Sequence, residues 1–254
     1  MTDFITRLEE LSINAWAPLQ NMVYDGWVIR MANGYTKRAN AVHPLYASQE
    51  GLDEKIAFCE TLFSRYGLPA IFKLTSASQP PELDDVLKER GYDFEPEVSV
   101  QTFALPQFDG VIAPEVRIEP EPSAQWLAAF QRMQGLSDEK KTTLTKMLAN
   151  ILPERAFASI ALDGHVIACG LGVEQSGFVG LYDIATDEHF RRRGYGRMIV
   201  ESLLAWGKQR SAQSAYLQVM IDNDPALNLY EKIGFQEVYR YWYRIKHISK
   251  TGSD

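Results

Sequence analysis

Two short segments of the chain combine residue types that can do chemistry. The first, Arg191-Arg192-Arg193-Gly194-Tyr195-Gly196, lies between a strand-like run, Phe178 to Thr186, and a helical stretch, Gly194 to Arg210. The opening turn of a helix leaves backbone N–H groups unpaired and carries partial positive charge. Glycines there let a ligand approach the backbone, and the arginines add fixed charge. Such a turn suits a pyrophosphate; a solvated basic turn that merely caps a helix would read the same way. It is not a Walker loop, because no Gly-Lys-Ser/Thr follows, and not a dinucleotide fingerprint, because the third glycine is missing. The second segment is Asn223-Asp224-Pro225-Ala226-Leu227-Asn228-Leu229-Tyr230-Glu231-Lys232-Ile233-Gly234-Phe235. Pro225 fits the first turn of a helix. Ala226 and Tyr230 are four apart and share a face, and Asn223 precedes that face by about one turn. A small residue, a polar cap and a phenol therefore line one side of a short helix.

The elements that must position these segments are legible from periodicity. Helical spacing covers residues 4–16, 51–66, 122–134 and 138–151, and Pro80-Pro81 opens a helix that ends at Gly91. Strand patterns run from Val23 to Met31, with Asn33-Gly34 as a hairpin leading to a second strand that ends near His43. Further strands are Ala70–Leu74, Val98–Leu105, Val116–Ile118, Phe157–Leu162, Val166–Val173, Phe178–Thr186, Ala215–Met220 and Tyr239–Ile248. The stretch from Pro106 to Pro114 has two prolines, an Asp109-Gly110 turn and no helical period, and reads as a linker.

Together the two chemical segments resemble the GNAT superfamily of N-acetyltransferases. Arg191, Gly194 and Gly196 match its Arg/Gln-x-x-Gly-x-Gly/Ala signature, and Asn223, Ala226, Tyr230, Gly234 and Phe235 match its Asn-x-x-Ala-x-x-x-Tyr-x-x-x-Gly-Phe pattern. The resemblance spans about residues 116–248. It implies an acetyl-CoA-dependent enzyme that moves an acetyl group to a primary amine, on a small molecule or a peptide, by direct attack in a ternary complex. The alternative is an acyl-CoA-binding regulatory module without turnover, and a third reading is a binder of another phosphate ligand. By the resemblance, Arg191 and the backbone N–H groups of Arg192, Arg193, Gly194, Tyr195, Gly196 and Arg197 hold the CoA pyrophosphate. Ile184, Ala185 and Thr186 pair with the pantetheine arm, Asn223 and Ala226 contact the cofactor, and Tyr230 protonates the departing thiolate. With an ordinary pKa of about 10, against ~8.5 for a Cys-like thiol, a phenol can donate or share a proton without being ionised first. The base that takes the amine proton is not fixed by the motifs. Asp183 is the first candidate, a structural carboxylate at that position is the competing reading, and Glu174, His189 or a water chain follow.

The two halves of the chain look alike. Gly51 and Gly194 each open a long helix, Gly91 and Gly234 each close a short one, and both pairs are 143 residues apart. The fold class expected is therefore mixed α+β: two GNAT-like units, each a mostly antiparallel twisted sheet flanked by helices, with a splayed parallel strand pair in the C-terminal one. The expected domains are 1–107 and 115–250. At the same offset Arg191 falls on Ser48, Gly196 on Asp53, Asn223 on Pro80 and Tyr230 on Leu87, so the first unit is a degenerate repeat without CoA. Trp16, Trp27, Arg30, Tyr35, Arg38 and Asn40 could wall an acceptor site or simply build a structural domain.

Composition sets the outer bounds. The 254 residues are 46% apolar and 23% charged, ordinary for a globular protein with a sizeable core. A net charge of −7 argues against nucleic acid as a partner. The two cysteines, Cys59 and Cys169, form no disulfide framework and no metal-ligand spacing, so no metal is expected. Without a leader-like N-terminus or an apolar run of about 20 residues, no membrane partner is expected either. The expected setting is cytoplasmic, as a monomer or a homodimer.

Overall fold

In the computed structural model, which describes residues 2–247, the periodic segments become seven α-helices and eleven strands. In chain order these are α1 (Thr2–Ala15), β1 (Gln20–Tyr24), β2 (Trp27–Met31), β3 (Val42–Pro44), α2 (Leu52–Arg65), β4 (Ala70–Thr75), α3 (Leu83–Glu89) and β5 (Asp93–Ala104). Then follow β6 (Val116–Glu119), α4 (Ala124–Gln134), α5 (Asp138–Ala149), β7 (Glu154–Leu162), β8 (His165–Gln175), β9 (Phe178–Thr186), α6 (Tyr195–Gln209), β10 (Ser214–Met220), α7 (Asp224–Ile233) and β11 (Gln236–Lys246). Ile248, expected to end the last strand, lies outside the described residues.

Contacts divide the chain into two compact units. One comprises the residues up to Val98 and those from Tyr239 onward; the other is Ser99–Val238. These limits differ from the expected domains, 1–107 and 115–250, for two reasons. From Tyr239 onward the last strand belongs to the first unit, where Tyr241–Lys246 of β11 pair antiparallel with Ala70–Thr75 of β4. The expected linker is not a free tether either, because it is tied down within the second unit. Leu105 N donates to Gln213 O at 3.0 Å, and Ala113 N to the Ser202 hydroxyl at 3.1 Å. Such bonds satisfy backbone groups that a solvated linker would leave to water.

Each unit repeats one topology. In the first, β1 to β4 lie side by side in sequence order, and β3 and β4 are parallel through Val42 and Phe72, with α2 as the crossover. In the second, β7 to β10 do the same, and β9 and β10 are parallel across α6. Leu52 and Tyr195 open α2 and α6, Asp93 and Gln236 open β5 and β11, and both pairs are 143 residues apart. The duplication read from glycine spacing thus extends to strand order and crossover.

The hairpin of the first unit is not where the Asn33-Gly34 signal put it. The chain turns at Asp25-Gly26, with φ of 40° and 84°, and the single strand expected from Val23 to Met31 is two strands, β1 and β2. Asn33 and Gly34 do adopt positive φ. They lead, however, into a loop gathered by Asn40, whose amide oxygen accepts from Ala32 N and Gly34 N at 2.7 and 2.9 Å. A side chain that bonds nearby backbone competes with the ladder, so the strand expected to follow shrinks to Val42–Pro44.

Both cores follow the apolar periodicity. In the first unit, Ile56, Cys59 and Phe63 of α2 join Trp27, Phe72, Leu74 and Tyr92. In the second, Ile199, Val200, Leu203 and Trp206 of α6 join Leu181, Leu217 and Phe235. Both cysteines are buried and free, and burial pushes both thiols up, that of Cys59 to about 12, so they are packing residues.

The first unit also buries charge. Glu9 of α1 accepts from Lys73 Nζ and, at 2.7 Å, from the Tyr239 hydroxyl; His43 Nδ1 lies 3.9 Å from the same carboxylate. Burial pushes His43 down to about 4 against the pull of Glu9. Burial would raise Glu9, but Lys73 and His43 bring it to about 2. Both shifts act in one direction. Below an unfolded His pKa of about 6.5 the unfolded chain takes up a proton that the folded chain refuses, so stability falls as pH drops from about 6.5 to 4. Glu9 extends the loss from about 4.5 toward 2. Urea unfolding at pH 5 should therefore give a stability about 2 kcal/mol below that at pH 7, and His43→Gln should flatten the curve between pH 5 and 6.5. An unchanged slope in the variant would remove His43 as the cause.

Candidate active site

The site is built where β9 and β10 part. Their parallel pairing runs from Phe178/Ser214 to Leu181/Leu217 and stops, although β9 continues to Thr186 and β10 to Met220. The cause lies on the other side of β9. Against β8, Leu171 opposes Tyr182 and Cys169 opposes Ala185, so β9 carries one extra residue. Asp183 sits in that stretch with φ of 52°. A bulge of this kind bends its strand, and Asp is among the few residues that tolerate the left-handed region. Ile184, Ala185 and Thr186 follow the bulge, beyond the last β10 pair.

The chain then turns into α6. Asp187 N donates to Ile167 O at 2.9 Å and its carboxylate accepts from His189 N at 3.1 Å, which fixes the strand exit. Arg192 and Gly194 have φ of 61° and 87°. Left-handed residues directly before a helix turn successive N–H groups toward one side, and the first N–H groups of α6 have no partner within the helix. A Cβ at Gly194 would meet no protein atom within 4 Å, and one at Gly196 would lie 3.3 Å from the Thr186 hydroxyl. The surface before the turn is therefore open, while the helix start is held close to the strand end.

Four exposed arginines surround this turn, each differently held. Arg191 Nε donates to Thr186 O at 3.3 Å, Arg193 lies over the Phe190 ring at 5.4 Å, and Arg197 pairs with Glu201 at 2.7 Å. Arg192 is exposed. A cavity of about 860 Å³ begins at Arg197 and Glu201 and is bounded by Phe103, Phe108, Ile233 and Gly234.

Helix α7 carries the second motif. The Asn223 side chain caps it, accepting from Ala226 N at 3.3 Å, and Pro225 occupies its first turn. Gly234, with φ of 109°, ends it. The Asn223 amide oxygen is thus engaged in capping. Tyr230 is 8% exposed and belongs to the cluster that holds Leu181 and Leu217, the last pair before the strands part. Burial alone pushes its phenol up to about 12, so it is protonated at neutral pH.

Asp183 is half-buried at the bulge. Glu174 caps the β8–β9 turn by accepting from Gly177 N at 3.0 Å, and His189 is exposed beside Glu188. Of the possible wall residues in the first unit, Trp27 is core, and Asn40 gathers its own loop. Arg30 donates to the carbonyls of Ile13, Trp16 and Arg38. Trp16 Nε1 donates to the Thr36 hydroxyl, with Tyr35 and Arg38 against its ring. Leu87, the counterpart of Tyr230, is fully buried, and Asp53, the counterpart of Gly196, pairs with Arg90.

A bulged, parted parallel pair leading through a glycine turn into a helix, with a tyrosine-bearing helix beside it, defines an acyltransferase of the GNAT superfamily. The chain belongs to the family described as "Probable histone acetyltransferase Rv0428c C-terminal", whose model matches residues 2–244. It is 30% identical over 248 residues to YobR of Bacillus subtilis, described as an uncharacterized N-acetyltransferase, covering 96% of this chain and 99% of that protein. Among solved structures it resembles a GCN5-related N-acetyltransferase from Kribbella flavida, with TM-score 0.70 and 13% identity over 97% of this chain and 96% of that one. It also resembles a tandem GNAT protein from the clavulanic acid biosynthesis pathway, with TM-score 0.62 and 10% identity over 97% and 89%. At these identities the two structures speak for the fold. The chain is thus an acetyltransferase enzyme with a tandem GNAT fold. No metal-binding group of three or more His, Cys, Asp or Glu exists among the described residues, and no helix among them is long and apolar enough to cross a membrane.

Proposed function

We propose that the second unit binds acetyl-CoA and transfers its acetyl group to a primary amine by direct attack. The observation that carries this reading is the parting of β9 and β10 beside the Arg191–Gly196 turn. Backbone of Ile184 to Thr186 pairs with the pantetheine arm, and the turn takes the pyrophosphate. The cavity at Arg197 has room for the remainder of the cofactor. The amine attacks the thioester carbonyl, whose oxygen gains charge as the tetrahedral intermediate forms. Collapse of that intermediate expels the thiolate. Tyr230, held protonated by burial, donates a hydrogen bond to the sulfur as its charge develops. With its phenol near 12, complete transfer to a thiolate of pKa about 8.5 is uphill. The phenol therefore shares its proton, and the proton that finally resides on sulfur comes from the amine.

Asp183 is proposed as the group that takes the proton from the acceptor ammonium. Asp183→Asn preserves a residue tolerant of the left-handed backbone and removes only the basicity. It should lower the rate at least tenfold at pH 7, and the deficit should shrink as pH approaches the amine's own pKa. A deficit that is constant with pH would assign Asp183 a structural role. The function as a whole is tested by thiol release across a panel of small amines and peptides, alongside calorimetric CoA binding. Binding with turnover on one acceptor class supports the proposal, and binding with no turnover on any acceptor favours a cofactor-responsive regulatory module.

A further inference from the structure

The turn before α2 is the counterpart of the Arg191–Gly196 turn, and it already holds an anion of its own. Gln49 N and Glu50 N, equivalent to the backbone N–H groups of Arg192 and Arg193 at the 143 offset, donate to the Asp25 carboxylate at 3.0 and 2.9 Å. Lys55 reaches the same place: its ammonium lies 3.1 Å from Asp25 Oδ2 and 2.6 Å from Asp25 O. Lys55 is fully buried against the Trp27 ring and occupies the position of Met198. A buried ammonium requires a counter-charge, and here it is supplied from within the chain.

The carboxylate arrives on the β1–β2 hairpin. Gly26 carries no Cβ because one would sit 2.5 Å from Ala47 O, and Tyr46 N donates to Gly26 O at 3.0 Å. The hairpin tip is thereby stitched to the loop that enters α2. Tyr24 adds a hydrogen bond to Glu50 from the same hairpin. The second unit has the same dipeptide at the equivalent β7–β8 tip, Asp163-Gly164, with similar φ of 49° and 79°. There the tip is exposed, and a Cβ on Gly164 would touch nothing within 4 Å. One sequence device therefore has two placements: docked on the helix entrance in the first unit, and clear of it in the second.

We propose that Asp25 is a built-in surrogate for the cofactor phosphate, so that the first unit is permanently self-liganded and refractory to CoA while the second turn stays open for it. This rests on the reading of the 191–196 turn as the cofactor turn. Hydrogen exchange at single amides of the full chain, read by NMR, separates the two claims. Without cofactor, Gln49 and Glu50 should exchange at least tenfold more slowly than Arg192 and Arg193. CoA should slow residues 192–196 and leave 49 and 50 unchanged. Failure of CoA to protect 192–196 would count against the function proposed above and leave the Asp25 contact standing. Exchange at 49 and 50 as fast as at 192 and 193, or slowing of both turns by CoA, would overturn the surrogate. In Asp25→Asn the amides of 49 and 50 should exchange at least tenfold faster, and inorganic pyrophosphate should slow them again. Without that rescue, Asp25 is an ordinary structural tie. The matched control Asp163→Asn should alter neither turn, and if Asp25→Asn does not fold, Asp25→Ser takes its place in the pyrophosphate rescue.

Discussion

Replacing Tyr230 by phenylalanine is expected to lower kcat for acetyl transfer about 100-fold or more, while the affinity for acetyl-CoA changes less than about twofold. The ring is 8% exposed and packs against Phe235 with centroids 5.8 Å apart. Phenylalanine keeps that packing, so the fold and the strand gap should survive. What is lost is the hydroxyl, and with it the hydrogen bond to sulfur proposed for the moment the C–S bond breaks. An interaction made only in the transition state lowers kcat and kcat/KM together. Steady-state kinetics with the true acceptor and calorimetry with acetyl-CoA supply both numbers. Equal turnover in the two proteins would take the phenol out of the reaction.

Gly196→Asp should weaken acetyl-CoA binding at least 100-fold without loss of thermal stability. This change writes Asp53 of the first unit into the second, at the equivalent place in the helix. A carboxylate in the first turn repels a pyrophosphate only a few ångströms away. Yet acidic residues favour the N-terminus of a helix itself, and the nearest neighbour of the new Cβ is a threonine hydroxyl at 3.3 Å, which can shift. Binding and stability should therefore separate. Calorimetry and a thermal melt of the variant check this pair, and undiminished affinity would remove the turn as the pyrophosphate site.

Much of this site is legible in the sequence, because its backbone demands are local. Gly194 and Gly234 both adopt positive φ, which glycine accepts without strain, and Pro225 starts a helix as its ring prefers. Strand β9 runs over the residues its apolar pattern marks. Apolar spacing also gives α6 within one residue at each end. Features that depend on distant partners were not legible. The bulge at Asp183 arises from register against β8, and the seat of β11 beside β4 is set by residues more than 150 positions away. The hairpin at Asp25-Gly26 does have a local signal, since Asp-Gly is as strong a turn dipeptide as the Asn33-Gly34 that overshadowed it. The capture of the Asp25 carboxylate by Gln49, Glu50 and Lys55 has none, because it joins residues 24–30 positions apart across two elements.

The comparison of the two units gives the account its centre: one fold used twice, with one turn open and the other closed by its own carboxylate. The most direct measurement is the stoichiometry of acetyl-CoA binding to the full chain by calorimetry, repeated with Gly196→Asp. One equivalent per chain, lost in the variant, is the predicted result. Two equivalents, or one that survives the substitution, would contradict it.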